Sequence, residues 1–180
     1  MDNVYEITVA SVKRVIPKVK INSNTAIANF LMLGDCELVE CCSAALIKKL
    51  PTIDCFITAE ARGIPLAATL SSLLKIPRYV IARKTQKLYM ESPMIESVFS
   101  ITTPGEQFLY LDSNDIKFIN NRRICIVDDV ISTGETLACL EKLVQRAGGI
   151  IAAKAAVIVE GDATLRTDII YLETLPIFNV

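Results

Sequence analysis

The segment Ile124–Leu137 places the tightest limit on what this chain can fold into. Ile124-Cys125-Ile126-Val127 is an unbroken apolar run, followed by Asp128 and Asp129, then Val130, Ile131 and the hydroxyl-rich turn Ser132-Thr133-Gly134-Glu135-Thr136. An apolar run without alternation is the mark of a strand covered on both faces, as in a parallel sheet flanked by helices. In such sheets, the residues leaving the carboxyl ends of the strands line the ligand crevice. The turn that follows opens a helix, whose first N–H groups and dipole favour an anion. Ser132, Thr133 and Thr136 add hydroxyl donors, and Gly134 lets the backbone approach a ligand closely. The lysine of a triphosphate-binding loop is missing, so the turn suits a single phosphate monoester. Ionised Asp128 and Asp129 are acceptors suited to a sugar diol or, through water, to Mg²⁺. A helix-capping turn uses the same residue types and is the alternative. Two adjacent acids directly before it fit that alternative less well, because like charges repel.

The remaining pattern agrees with an α/β fold. Apolar residues at helical spacing in Glu37–Leu50 predict a helix with Asp35 as its N-cap. Cys55–Ala59 reads as a strand, Leu66–Leu74 as a helix and Tyr79–Ala82 as a strand. Phe108–Leu111 reads as another strand, Gly134–Ala147 as a helix ended by Gly148-Gly149, and Ile150–Val159 and Ile169–Leu172 as two more strands. Strands alternating with helices predict a mostly parallel sheet with helices on both faces. Residues 4–21 are rich in β-branched side chains and read as short strands at the edge or top of the core. Residues 84–106 carry polar, proline and glycine punctuation, and read as a long loop or hairpin of the kind that forms lids.

Bulk composition narrows the function. The chain has 180 residues and is expected to form one domain, 1–180. Its mean hydropathy of +0.42 fits a doubly covered sheet. The longest apolar run, Ile150–Val159, is interrupted by Lys154 and falls short of a membrane span. The N-terminus has no basic segment and apolar core of a secretory signal, so a cytoplasmic protein is expected. Basic and acidic residues number 19 and 20, which gives no basic excess for a nucleic-acid footprint. There is no histidine, which excludes Ser-His-Asp and Cys-His catalysis and histidine-containing metal sites. Six cysteines without a C-x-x-C pair read as reduced, buried small hydrophobes.

Two further segments leave predicted strand ends with polar chemistry. Glu60-Ala61-Arg62-Gly63 offers a tight turn with backbone N–H groups and a guanidinium. Arg83-Lys84-Thr85-Gln86-Lys87 is a basic cluster. Each alone is compatible with an ordinary turn or a solvated charge run. Together with Asp128–Thr136 they would converge along one edge of the sheet, where a polyanion would bind.

On these residues the chain resembles the type I phosphoribosyltransferases, a three-layer α/β fold with a small hood and a lid. Ile124–Leu137 is similar to that family's phosphoribosyl diphosphate signature. Glu60–Gly63 resembles the diphosphate loop of its adenine and xanthine branch, and Ala82-Arg83-Lys84 with Lys87 resembles the basic segment before the lid. The resemblance implies that Ile131, Ser132, Thr133, Gly134, Glu135 and Thr136 hold the 5′-phosphate, and Asp128 and Asp129 the ribose hydroxyls. Ala61, Arg62 and Gly63 would hold the diphosphate with Arg83, Lys84 and Lys87. Asp128, Asp129, Arg83 and Lys87 are the catalytic candidates, Mg²⁺ the implied cofactor, and a homodimer the implied assembly. The hood would come from 1–34 and 160–180, and the lid from 84–106. The implied reaction transfers a phosphoribosyl group to a purine, adenine first, with xanthine or another base as alternatives. The acid that adenine enzymes carry late in the lid has no clear counterpart in Phe99–Glu106, and Glu91, Glu96 and Glu106 are only loosely placed for it. A regulator that senses phosphoribosyl diphosphate without turnover is the second reading. A phosphoacceptor receiver domain is a third, which the late position of Asp128-Asp129 disfavours.

Overall fold

The computed structural model describes residues 3–99 and 106–179. Five strands form the central sheet: β4 (Cys55–Ala59), β5 (Val80–Ala82), β8 (Arg123–Ile131), β9 (Ile150–Glu160) and β10 (Ile170–Leu175). Their spatial order is β10-β9-β8-β4-β5, and every neighbouring pair is parallel. Helix α1 (Cys36–Ile47) precedes β4, α2 (Ile64–Leu73) links β4 to β5, α3 (Ser113–Ile119) precedes β8, and α4 (Glu135–Arg146) links β8 to β9.

The unbroken apolar runs are explained by two cores, one on each face of the sheet. Phe56 of β4, Cys125 and Val127 of β8 and Val157 of β9 pack with Leu38, Leu46, Leu66 and Leu70 of α1 and α2. The intervening residues Ile57, Ile124, Ile126 and Ala156 pack with Leu137, Leu140, Leu143 and Val144 of α4. The large side chains among them contribute roughly 1.5–3 kcal/mol each when fully buried, so the sheet centre carries most of the packed core.

A second, antiparallel sheet has the order β1-β2-β3-β11, built from β1 (Val4–Val9), β2 (Val12–Lys20), β3 (Thr25–Ala28) and β11 (Ile177–Asn179). Its inward residues Ile7, Val9, Val12 and Ile16 join the α1/α2 core. Arg14 ties it to α1 through Asp35 at 2.7 and 3.0 Å, and Asp35 also caps α1 by accepting from Leu38 N–H at 3.1 Å. Of the segment expected as a lid, β6 (Met94–Phe99) is a strand, and it pairs antiparallel with β7 (Glu106–Leu111), which includes the expected strand Phe108–Leu111. Arg146 of α4 anchors that ladder through the Ile95 carbonyl at 2.9 Å and the Glu96 carboxylate.

Several boundaries move. The strand read as Ile124–Val127 continues through the acid pair to Ile131, because Asp128, Val130 and Ile131 pair with Ala156, Ile158 and Val159 of β9. Of the C-terminal stretch grouped with the hood, Ile170–Leu175 belongs to the central sheet, and only β11 joins the small one. Ser113–Ile119 is helical although nothing in its pattern announced a helix. Among the described residues, no helix is long and apolar enough to cross a membrane.

Candidate functional site

Strand order fixes where the site must be. The chain steps from β4 outward to β5, then returns to lay β8 on the other side of β4, with β9 and β10 beyond it. The direction of winding therefore reverses between β4 and β8, and connections leaving those two strands diverge to leave a crevice at their carboxyl ends. Both connections are the segments singled out in the sequence: residues 60–63 after β4 and 128–136 at the end of β8.

The two meet through an ion pair. Arg62 Nε donates to Asp129 Oδ2 at 2.8 Å, and Arg62 Nη2 donates to the carbonyl of Phe30. The Asp129 side chain is only 3% exposed, whereas that of Arg62 is 45% exposed, so the guanidinium reaches from a buried carboxylate into the open crevice. The remaining Asp129 oxygen accepts from Val130 N–H at 2.8 Å, and Asp128 Oδ1 accepts from Asp129 N–H at 2.9 Å. Burial pushes both carboxyls above their usual range. Asp129 adds to the rise at Asp128, and Arg62 opposes the rise at both. Arg62 pairs with the buried Asp129 alone, and the half-buried Asp128 beside it has no cation partner among the described residues, so it is poised to gain from a hydroxyl donor or a cation.

Gly63 is required by space. A Cβ there would lie 2.1 Å from Thr58 Oγ1 and 3.2 Å from Asp128 Oδ1, so the turn after β4 presses directly on the end of β8. The peptide bond between Glu60 and Ala61 is cis, and Ala61 is exposed at the rim. Gly134 is required by conformation instead, since its φ is +80°. It precedes α4, which receives no side-chain cap, so Ser132 and Thr133 do not serve as the capping turn that was the alternative reading. Asp128, Val130, Ile131, Ser132, Thr133, Gly134, Glu135, Thr136 and Leu137 enclose a cavity of about 60 Å³. That is about four times the ~15 Å³ that admits one water, and it suits one phosphate group beside the open N–H groups of the helix.

The basic cluster is placed differently. Arg83 Nη1 lies 3.4 Å from Glu60 Oε1, and Lys84 N–H donates to Glu60 Oε2 at 3.1 Å. Backbone bonds between Arg83 and Tyr110, at 2.9 and 2.8 Å, hold the segment to β7. The Lys87 ammonium donates to Thr85 Oγ1 at 2.9 Å, and the Lys84 side chain is exposed. The segment thus sits beside the crevice, joined to it through Glu60, and no contact among the described residues carries the lysine ammonium groups to Asp128 or Asp129. Of the three acids loosely placed for the purine proton, Glu96 is engaged by Arg146 and Glu91 is exposed. The stretch 100–105 and the Glu106 side chain lie outside the described residues.

Sequence reasoning gave no role to Phe30, the Glu60 carboxylate or Glu160. Glu160 ends β9 next to the Ile131 end of β8 and is 8% exposed. Burial raises its pKa, with Arg62 opposing and Asp129 adding to the rise. An acid terminating the apolar run Ile150–Val159 was the available signal. For a divalent cation, the described residues contain no group of three or more His, Cys, Asp or Glu side chains able to hold it. The two adjacent carboxylates Asp128 and Asp129 fit Mg²⁺ held through water, and would need other oxygen ligands to complete its shell.

Residues 42–175 match the model of the phosphoribosyl transferase domain. The hypoxanthine/guanine phosphoribosyltransferase of Methanococcus voltae is 36% identical over 137 residues, 76% of this chain and 69% of that protein. That of Methanocaldococcus vulcanius is 38% identical over 106 residues, 59% and 54% of the two chains. The chain therefore spans between about half and two thirds of these relatives' lengths. Among solved structures, adenine phosphoribosyltransferase of Rhodothermus marinus superposes with a TM-score of 0.67 at 24% identity, covering 96% of this chain and 94% of that one. The Thermoanaerobacter pseudethanolicus enzyme gives 0.66 at 23%, covering 96% and 95%. At those identities the structural likeness establishes the fold alone. The family match over residues 42–175, falling on a fold whose switch point joins Arg62 to Asp129 beside the uncapped glycine turn that opens α4, shows that this chain belongs to the phosphoribosyl transferase domain family.

Proposed function

We propose that the protein is a purine phosphoribosyltransferase that takes phosphoribosyl diphosphate as donor. The observation that carries this reading is the Arg62–Asp129 pair, which couples a diphosphate-type turn to a ribose-type acid pair at one crevice. The bond from C1 of the ribose to the diphosphate oxygen breaks and a bond from C1 to a purine ring nitrogen forms, with the proton of that nitrogen released. The developing positive charge on the ribose falls near Asp128, and the departing negative charge falls near Arg62 and the N–H groups of residues 61–63. The open N-terminus of α4 fixes the 5′-phosphate and so fixes C1. Bound Mg²⁺ would neutralise charge on the leaving diphosphate.

For the base, hypoxanthine or guanine now stands ahead of the adenine preferred from the sequence. Relatives 36–38% identical to this chain carry the hypoxanthine/guanine name, whereas likeness to the adenine enzymes supports only the shared fold. A cytoplasmic homodimer in nucleotide salvage belongs to the same reading. The test is to supply phosphoribosyl diphosphate and Mg²⁺ with hypoxanthine, guanine, adenine, xanthine, uracil or orotate in turn, and to measure diphosphate release. Release with hypoxanthine or guanine is expected. Release with adenine alone reverses the base order, and saturable donor binding with no base consumed makes the protein a sensor.

A further inference from the structure

We propose that Arg166 is a positioning residue for the phosphate turn, acting on Gly134 from the segment that follows β9. This rests on the phosphoribosyl reading of the crevice and adds a residue from outside its strand ends. Arg166 Nη1 stands 3.0 Å from where a Cβ on Gly134 would be, so the guanidinium lies against the left-handed residue that opens α4. The same segment makes a backbone tie to the turn: Ala163 N–H donates to the Ser132 carbonyl at 3.2 Å.

The orientation of Arg166 is enforced from its other edge. Its Nε and Nη2 donate to the two oxygens of Asp168 at 2.9 and 2.7 Å, the paired geometry that fixes a guanidinium plane. Asp168 also accepts from Lys154 at 2.7 Å, Lys154 pairs with Glu141 of α4 at 2.8 Å, and Glu141 lies 3.6 Å from Arg166 Nη2. The cluster holds two cations and two anions but is not symmetric. Both acids occupy the Nε/Nη2 edge, which leaves the Nη1 edge, with its protons, against the turn. A guanidinium fixed there steadies Gly134 in its left-handed conformation and presents positive charge at the turn. Its effect should fall on the 5′-phosphate end of the ligand, since the diphosphate loop at residues 60–63 belongs to the β4 strand end.

The probes are ribose 5-phosphate and Mg²⁺-diphosphate, titrated separately into the full chain. Arg166→Ala should weaken ribose 5-phosphate about tenfold, the scale of one lost charge-assisted contact, and leave diphosphate affinity unchanged. Arg166→Lys should recover part of the loss. Asp168→Asn, which keeps the guanidinium but loosens its fork, should give a smaller loss of the same kind. In turnover, Arg166→Ala should raise the KM for phosphoribosyl diphosphate more than it lowers kcat. Wild-type binding of ribose 5-phosphate with an equal Arg166→Ala affinity overturns the proposal alone. Equal weakening of both probes also overturns it, because that is the signature of general destabilisation. A wild-type protein that binds neither probe overturns the phosphoribosyl reading, and this proposal with it.

Discussion

The N-termini of α1 and of α4 solve the same problem in opposite ways. Both helices are 12 residues long, and both start with free N–H groups. At α1 the Asp35 carboxylate closes the end by accepting from Leu38 N–H, and Arg14 holds that carboxylate in place. At α4, and likewise at α2, a glycine occupies the cap position and no side chain closes the end. The two helices that start on glycine leave β4 and β8, on either side of the strand switch point. Glycine at the cap position gives up roughly a few tenths of a kcal/mol of local stability relative to a capping side chain, and at α2 and α4 it leaves donors free for an anion.

The two open ends differ in turn. Gly63 has an ordinary φ of −79° but no room for a side chain. At Gly134 a Cβ would meet only Arg166 Nη1, at 3.0 Å, but its φ is +80°. Glycine is therefore demanded by packing in one turn and by backbone conformation in the other, and the two demands fail differently on substitution. Gly63→Ala should have the largest effect, about 3 kcal/mol of stability in denaturant unfolding together with loss of ligand binding. Removing the obstacle with Thr58→Ala in the same chain should restore part of that stability. Gly134→Ala should cost less, about 1–2 kcal/mol, and adding Arg166→Ala should restore none of it. Equal rescue in the two pairs would erase the distinction.

Asp35→Ala makes the control at the closed end, with the smallest effect. It should cost about 1 kcal/mol and leave ligand binding intact. Arg14 first, and then the Leu38 N–H, hold the Asp35 carboxyl below its usual range against the cost of burial. A carboxyl with a lowered folded pKa contributes stability that is present above its unfolded pKa and is lost as pH falls through the folded value. The substitution should therefore flatten the acid limb of the stability–pH curve and leave the neutral-to-basic limb parallel to wild type. A change in ligand affinity would show that α1 takes part in the site.

Much of this organisation was legible because it rests on local pattern. Cys55–Ala59 has the predicted bounds, and Asp35 caps the helix it precedes. What was not legible depends on which strands become neighbours. The extension of β8 through Asp128 and Asp129 needs β9 beside it. The Arg62–Asp129 pair joins residues 67 apart in sequence, and no spacing rule links them. The Glu60 contacts had the same origin: from the adjoining strand end it meets the Arg83 guanidinium and the Lys84 backbone N–H, and the Lys84 ammonium stays exposed. Ser113–Ile119 escaped notice because seven residues with a single buried side chain, Ile119, carry too little periodicity to register.

That the ends of β4 and β8 form one site for one ligand is tested most directly by equilibrium binding of Mg²⁺-phosphoribosyl diphosphate to the wild-type chain and to the Asp128→Asn, Asp129→Asn double variant. The predicted result is saturable binding at one site per chain, lost in the double variant while the protein stays folded. Unchanged affinity in a folded double variant would contradict it.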